Sequence, residues 1–239
     1  MKNTILLVIA LAVLVLPAIA SPEEEAKLYD ALMAGGDESA KALEMIIQNA
    51  DEVTAVSLFM ASGVALKNED FTNSAYLFYV AKFRAQFDKE VFPPVGTGGN
   101  SPMVAFGALS SQLGSVINPE IMRRPANFSA SLKLAKEWAP VVPNNYNPGW
   151  EYSEKMSIDE ATAKLSETKK EFDQGMGDYA SLLSSSDYFE AFNIVQDYNM
   201  KFDDSRPSKD AYDDAVASMT EIEKSKGIRG MFYDPSKTK

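Results

Sequence analysis

Chemistry in this sequence depends on carboxylates, hydroxyls and arginines, because its 239 residues include neither histidine nor cysteine. The absence of both residue types excludes Ser-His-Asp and Cys-His nucleophiles, histidine and thiolate zinc sites, and histidine proton transfer. Two carboxylates could still act together, as they do in glycosidases, but no spacing singles out a pair among the 34 acidic residues. The sequence therefore predicts no catalytic residue, no metal and no cofactor.

Two further patterns are compatible with ligand binding. A run of aspartates near the C-terminus could gather around Ca²⁺, but it lacks the central Gly and closing Glu of a twelve-residue calcium loop. That spacing favours a solvated acidic face; the run consists of Asp203, Asp204, Asp210, Asp213 and Asp214. The glycine-rich segment 96–101 precedes a helix start and could hold an anion. It lacks the Gly-Lys-Ser/Thr ending of a phosphate loop, which favours a flexible loop.

Three aromatic residues and one arginine are the candidate partner-binding residues. Tyr146, Trp150 and Tyr152 lie in and just after a Pro- and Asn-rich segment, residues 140–149. They either form a binding surface for a sugar or peptide or bury their rings to pin the segment onto the helices. Arg84 lies late in the most apolar helix. It either pairs with an internal carboxylate or binds the carboxylate of a partner.

The charge balance restricts the kind of partner. Lys and Arg number 23 against 34 Asp and Glu, a net charge of −11. The densest basic spot is the pair Arg123–Arg124, so nucleic acid and anionic membrane surfaces are excluded as partners. An acidic surface instead favours a protein or peptide partner of basic character.

Residues 1–20 have the parts of a cleavable signal peptide. Lys2 precedes an unbroken apolar run, Ile5–Leu16, and Pro17 is followed by the small-x-small sequence Ala18-Ile19-Ala20. The run is shorter than the roughly 20 residues that a membrane-spanning helix needs. We therefore predict a mature chain, residues 21–239, without a membrane span, in the bacterial periplasm or outside the cell. Loss of Lys2 leaves 22 basic against 34 acidic residues, a net charge of −12.

Helical spacing of apolar residues dominates the mature chain, which predicts a single all-α domain of antiparallel hairpins packed as an irregular bundle. Capping serines at Ser101, Ser157 and Ser208 predict helix starts. Asn118–Pro119 predicts the end of a helix, and the segment 140–151 is predicted to be a non-helical linker and a candidate domain seam.

One hairpin resembles a tetratricopeptide repeat. Residues 51–89 predict two antiparallel helices, of which the second is apolar on most sides and therefore central. Gly63 lies three residues before Leu66, and Ser74, Phe78 and Ala81 follow the small-aromatic-small spacing of that repeat. The interval from Gly63 to Ser74 is one residue shorter than the usual pattern, and no second copy follows at a fixed period.

A broader resemblance covers roughly residues 52–145. The helix Ala75–Arg84, the segments Phe106–Leu109 and Gly114–Asn118, and an Ala-Lys-Glu-Trp-Ala helix look like a group of uncharacterised secreted bacterial proteins. In that group a "FWFYAGQLR"-like helix precedes an "LFASL…VGxPIN" segment. The resemblance implies a bacterial envelope setting and no particular chemistry.

These observations lead to two functional hypotheses. The first is a non-enzymatic helical binding protein with a protein or peptide partner, such as an immunity or inhibitor protein that neutralises a basic toxin. The second is a periplasmic hydrolase that uses paired carboxylates. A deep cleft with two Asp or Glu about 5 to 10 Å apart would favour the hydrolase, whereas a shallow groove would favour binding.

Overall fold

The computed structural model describes residues 22–96 and 101–234, so the predicted signal peptide lies outside it. Helices contain 73% of these residues, and the described part of the chain has no strand or sheet. The predicted all-α class is confirmed as a helical bundle of nine described helices: α1 (Pro22–Ala34), α2 (Gly36–Gln48), α3 (Ala55–Lys67), α4 (Phe71–Val91), α5 (Pro102–Met122), α6 (Pro125–Glu137), α7 (Ile158–Leu183), α8 (Ser186–Met200) and α9 (Lys209–Lys226).

Side-chain caps set the helix starts where the sequence predicts them. The hydroxyl of Ser101 accepts from the Met103 N–H at the start of α5. Ser157 caps α7 and Ser208 caps α9 in the same manner, each accepting a backbone N–H three residues on. Each cap satisfies one of the N–H groups that a helix leaves unpaired in its first turn.

Helix α5 does not end at Asn118–Pro119, so that prediction is wrong. The helix continues through Pro119 to Met122, although proline there removes one backbone hydrogen bond. Ile117 and Ile121, on either side of Pro119, are each 1% exposed. Burial of these two side chains in the core holds the helix together across the proline.

Helix α4 is the centre of the bundle, as its apolar sequence predicts, and it contacts α3, α5, α6 and α7. Phe78 is 2% exposed and lies edge-on to Phe59 of α3, with ring centroids 6.1 Å apart. On the α5 side its ring tip faces Gly114, where an added Cβ would lie 3.0 Å from Phe78 Cζ. The lack of a side chain at Gly114 therefore makes room for the Phe78 ring.

Helices α3 and α4 form the predicted antiparallel hairpin. Ser74 of α4 donates its hydroxyl to the Ser62 carbonyl of α3 at 2.9 Å, and both residues are fully buried. Small side chains at this crossing let the two backbones approach closely. The resemblance to a tetratricopeptide repeat is limited to this single hairpin.

Helices on both sides of the candidate seam share one core. Helix α7, which follows the linker, packs on α4 and α6, and α8 and α9 form a second hairpin that joins the bundle through α7. The buried cluster extends from Leu32 in α1 to Met219 in α9. None of the described helices is long and apolar enough to cross a membrane.

Candidate functional site: the strap and the Phe202 loop

Arg84 lies inside the protein, where the protein's own groups bind its guanidinium. The residue is fully buried, and its Nε lies 3.0 Å from the carboxylate of Asp88 one turn later in α4. The same Nε donates to the Tyr146 hydroxyl at 2.9 Å, and the guanidinium carbon lies 4.1 Å from the centroid of the Tyr146 ring. Nη1 donates to the carbonyls of Asp51 and Val141 at 2.8 and 2.9 Å.

These bonds hold residues 139–156, which we call the strap, over helix α4. Tyr146 and Val141 belong to the strap, and Asp51 belongs to the turn between α2 and α3. The Val141 N–H in turn donates to the Asp51 carbonyl at 2.7 Å. A single buried cation thus connects three segments that are distant in sequence.

Burial dominates the electrostatics beneath the strap. Desolvation raises the pKa of Asp88 to about 6, although Arg84 and a hydrogen bond from Tyr146 favour the charged carboxylate. The negative charge of Glu25 on α1 adds to the increase. Burial alone would lower the pKa of Arg84, but Asp88 and Tyr146 outweigh it, so the pKa lies above its usual value. At neutral pH the two residues therefore form a buried ion pair.

Phe92 connects the three aromatic candidates. Its ring lies 5.6 Å from the Tyr146 ring and 5.0 Å from the Tyr152 ring, between centroids, and its carbonyl accepts from Trp150 Nε1 at 2.8 Å. The Trp150 ring also lies edge-on to Phe106 of α5 at 5.7 Å. These contacts are those expected of aromatics that pin the strap. Tyr152 is 37% exposed, whereas Tyr146 and Trp150 are each partly buried.

The remaining sequence candidates are placed as follows. Arg123 forms an ion pair with Asp197 at 2.7 Å, and Arg124 forms one with Glu120 at 2.8 Å. The five aspartates near the C-terminus are all exposed, and no group of acidic side chains within the described ranges is arranged to hold a metal ion. Of the glycine-rich segment, residues 97–100 lie outside the described part of the chain.

The most exposed large apolar side chain in the described part of the chain is Phe202, which sequence reasoning missed. It is 84% exposed, and Met200 beside it is 47% exposed. Phe202 belongs to residues 201–208, which connect α8 to α9 and which we call the Phe202 loop. The sequence predicts a helix over Tyr188–Phe202, whereas α8 ends at Met200. The polar stretch Asp-Asp-Ser-Arg-Pro, which follows Phe202 directly, is the sequence feature that indicates a loop at this point.

Local bonds order the Phe202 loop. The Asp203 carboxylate accepts from the N–H and the hydroxyl of Ser205, at 2.9 and 2.5 Å, which lowers its pKa. Arg206 donates its Nε to the Tyr198 carbonyl at 2.7 Å and stacks over the Tyr198 ring. That ring lies 4.4 Å from the ring of Tyr212 in α9. The loop is thus fixed at both ends, and the Phe202 ring projects from it.

The comparisons with known proteins add nothing to this geometry. No protein-family model, curated protein or solved structure matches the chain. The features that bear on function are therefore those of this chain alone. One is an ordered loop that presents the Phe202 ring beside two aspartates and Arg206, whose guanidinium carbon lies 5.6 Å from the ring centroid. The other is a buried cation that holds the strap.

Proposed function

We propose that this chain is a non-enzymatic binding protein of the bacterial periplasm or extracellular space, with a basic protein or peptide as its partner. The observation that carries the proposal is the exposure of Phe202, 84%, on a loop that its own hydrogen bonds order. An immunity or inhibitor protein that neutralises a basic toxin is the form of this function that the charge favours.

The chemistry of the loop suits a basic partner. A large aromatic side chain that is buried on association contributes far more binding free energy than most interface residues. Because the loop is already ordered, little conformational entropy is lost when a partner docks. Asp203 and Asp204 follow the ring directly and are exposed, so their carboxylates can pair with Lys and Arg of a partner. Lys201 and Arg206 balance these two charges within the loop, so the attraction of a basic partner comes from the net charge of the whole chain, −11.

Paired-carboxylate hydrolysis receives no comparable support from the described residues. Asp88, whose pKa is raised into the range of a general acid, is fully enclosed beneath the strap and cannot reach a substrate. Glu25 lines a shallow groove, but its carboxylate already accepts bonds from the hydroxyls of Thr54 and Ser57 at 2.5 and 2.6 Å. A binding function is therefore the better account.

The proposed location has a direct test. We expect N-terminal sequencing of the protein from its source envelope to begin at Ser21, because the Ala18-Ile19-Ala20 sequence follows the apolar run. The resemblance to secreted bacterial proteins supports the same location. A product from that compartment that still begins at Met1 would contradict cleavage.

Phe202→Ala should weaken partner binding by about 30-fold, the equivalent of the ~2 kcal/mol typical of a hot-spot residue. The partner is captured from an envelope extract by the unmodified protein, purified, and titrated against each variant by calorimetry. Val116→Ala is the control, because Val116 is an apolar side chain 49% exposed on α5 and is not part of the loop. Equal affinity of both variants would place the interface elsewhere.

The association rate of the same complex separates charge steering from simple apolar contact. It should fall steeply between about 0.01 M and 0.15 M salt, as the screening length shrinks from about 30 Å to about 8 Å. The dissociation rate should change little over this range. An association rate that does not depend on salt, or an acidic partner, would contradict the basic-partner proposal.

A further inference from the structure

A groove between the α1–α2 turn and helix α3 has the size of a small-molecule site. Its volume is about 490 Å³, within the range of about 300 to 1,000 Å³ typical of ligand pockets. The lining is mainly apolar and rich in small residues: Leu32, Met33, Gly35, Gly36, Ser39, Ala40, Met60, Gly63, Val64, Lys67 and Asn68. The groove lies apart from the strap and from the Phe202 loop.

The lining can adapt to a flexible apolar ligand. Met33 and Met60 have unbranched thioether side chains that adjust to irregular apolar shapes, and Met33 is 53% exposed. Gly35 and Gly36 have φ values of 81° and 65°, so they form the tight turn at the edge of the groove. A Cβ added at either glycine would meet no atom within 4 Å, which leaves the space beside the turn open.

The charge of the groove is opposite to that of the protein. Lys67, in the last turn of α3, lines it and has no ion pair or hydrogen bond among the described residues. None of the lining residues is acidic, although the chain carries a net charge of −11. The acidic residues that adjoin the lining in sequence are Asp37 and Glu38 in the first turn of α2 and Glu69 after Asn68; all three are exposed and none lines the groove.

The other polar side chains of the lining, Ser39 and Asn68, carry no charge, and Ser39 is already bonded within the protein. The Ser39 hydroxyl donates to the Leu32 carbonyl at 2.7 Å, so it is already satisfied. Asn68 follows Lys67 at the end of α3 and lines the groove with an uncharged amide side chain. An occupant that complements this surface has an unbranched apolar body and an anionic end.

We propose that this groove binds a linear acyl chain that ends in a carboxylate. The chain packs against Met33, Met60 and Val64, and the carboxylate lies at the Lys67 ammonium group. The inference is independent of the proposed function, because the groove and the Phe202 loop share no residue and the tests use different ligands.

Titration of the full chain with octanoate, decanoate and dodecanoate, below their micellar concentrations, tests the apolar part. Calorimetry should show affinity rising by about fourfold for each added methylene, the equivalent of ~0.8 kcal/mol per buried CH₂. Ala40→Trp, at an exposed helical position on the groove, should abolish binding by filling the space. Ala163→Trp, equally exposed on α7 and outside the groove, should bind as the unmodified protein does.

Charge reversal tests the anionic end. Lys67→Glu should weaken dodecanoate binding by about five- to tenfold, since it removes a surface attraction and adds a repulsion of similar size. Lys89→Glu changes the net charge equally in the last turn of α4 and should have no such effect. Dodecyltrimethylammonium should bind more weakly than dodecanoate to the unmodified protein.

Three results would overturn the inference. The first is the absence of saturable binding by any of the three carboxylates. The second is binding that Ala40→Trp and Ala163→Trp leave equal, which would place the ligand at another site. The third is equal affinity for dodecanoate and dodecyltrimethylammonium, which would remove the role of Lys67. Binding of the basic partner at the Phe202 loop is unaffected by any of these outcomes.

Discussion

Phe78→Ala is expected to lower the free energy of unfolding by about 3 to 5 kcal/mol, the range for deletion of a buried aromatic side chain. The Phe78 ring is 2% exposed in the central helix, between Phe59 of α3 and the bare backbone at Gly114 of α5. Its loss leaves a cavity that neither neighbour can fill, because α4 is packed on several sides. Equilibrium denaturation by urea, monitored by circular dichroism, measures the change.

The matched control is Phe202→Ala, which deletes the same side chain from an exposed position. Its ring is 84% exposed, so the free energy of unfolding should change by no more than about 0.5 kcal/mol. An unfolding midpoint that Phe78→Ala leaves unchanged would contradict the central position of α4. The pair of variants also separates the stability role of one phenylalanine from the proposed binding role of the other.

Arg84→Met should destabilise the protein by about 3 to 5 kcal/mol at neutral pH, because the Asp88 carboxylate is then buried without a cation. The variant also loses the bonds from Nη1 to Asp51 and Val141 that hold the strap. Arg124→Met is the matched control: Arg124 also pairs with a carboxylate one turn away, Glu120, but both side chains are about one-third exposed. Its loss should cost no more than about 1 kcal/mol.

The double variant Arg84→Met/Asp88→Leu distinguishes the effect of an unpaired buried charge from the loss of the Arg84 hydrogen bonds to Asp51 and Val141. Replacing both partners of a buried ion pair by apolar side chains of similar size is often neutral or stabilising. We therefore expect the double variant to regain most of the stability that Arg84→Met alone loses. If it is as unstable as the single variant, the hydrogen bonds to the strap, rather than the unpaired carboxylate, account for the loss.

The contribution of Asp88 to the free energy of unfolding is expected to depend on pH. The pKa of Asp88 is raised to about 6 in the folded state, above the value of about 3.9 in an unfolded chain. Between these values the folded state binds more protons, so the contribution of Asp88 to stability increases as pH falls from 7 to 4. The total gain is about 3 kcal/mol, from roughly two pKa units at 1.36 kcal/mol each.

Asp88→Asn isolates this contribution from those of the other acidic residues, because the amide has nearly the same shape and does not titrate. The unmodified protein should gain stability relative to Asp88→Asn as pH falls through about 6. Tyr146, Arg84 and Glu25 all act on the pKa of this carboxylate. We expect Tyr146 and Arg84 to bind residue 88 in both the unmodified protein and Asp88→Asn. A relative loss of stability in acid would show that Arg84 keeps Asp88 ionised in the folded state.

Local interactions are the part of the fold that the sequence predicts well. Ser101, Ser157 and Ser208 were identified as helix starts because a cap depends on residues within one turn. The prediction that a helix ends at Asn118–Pro119 is wrong because contacts between residues distant in sequence decide whether this helix continues. Ile117 and Ile121 are buried by other helices, and that long-range packing outweighs the bond that proline removes.

In the candidate site too, the sequence indicates which residues matter but not which distant residues contact each other. Arg84 and Tyr146 were both selected from the sequence, but nothing in it indicates that residues 62 positions apart contact each other. The sequence predicts a helix over Tyr188–Phe202, but Phe202 lies in the loop that follows the end of α8 at Met200. The exposure of a ring depends on where the surrounding helices turn, which a local pattern does not contain.

The arrangement under the strap also constrains the order in which the chain folds. Arg84 binds partners 33 positions before it and 57 and 62 positions after it, so each of these contacts closes a long loop and gains little until the intervening helices are compact. We expect the helical hairpins to form first, from contacts that are close in sequence, and the strap to close last over a framework already built. Until that step is complete, the charged group at the centre of α4 stays hydrated, and the bundle keeps an open seam through which water reaches its core.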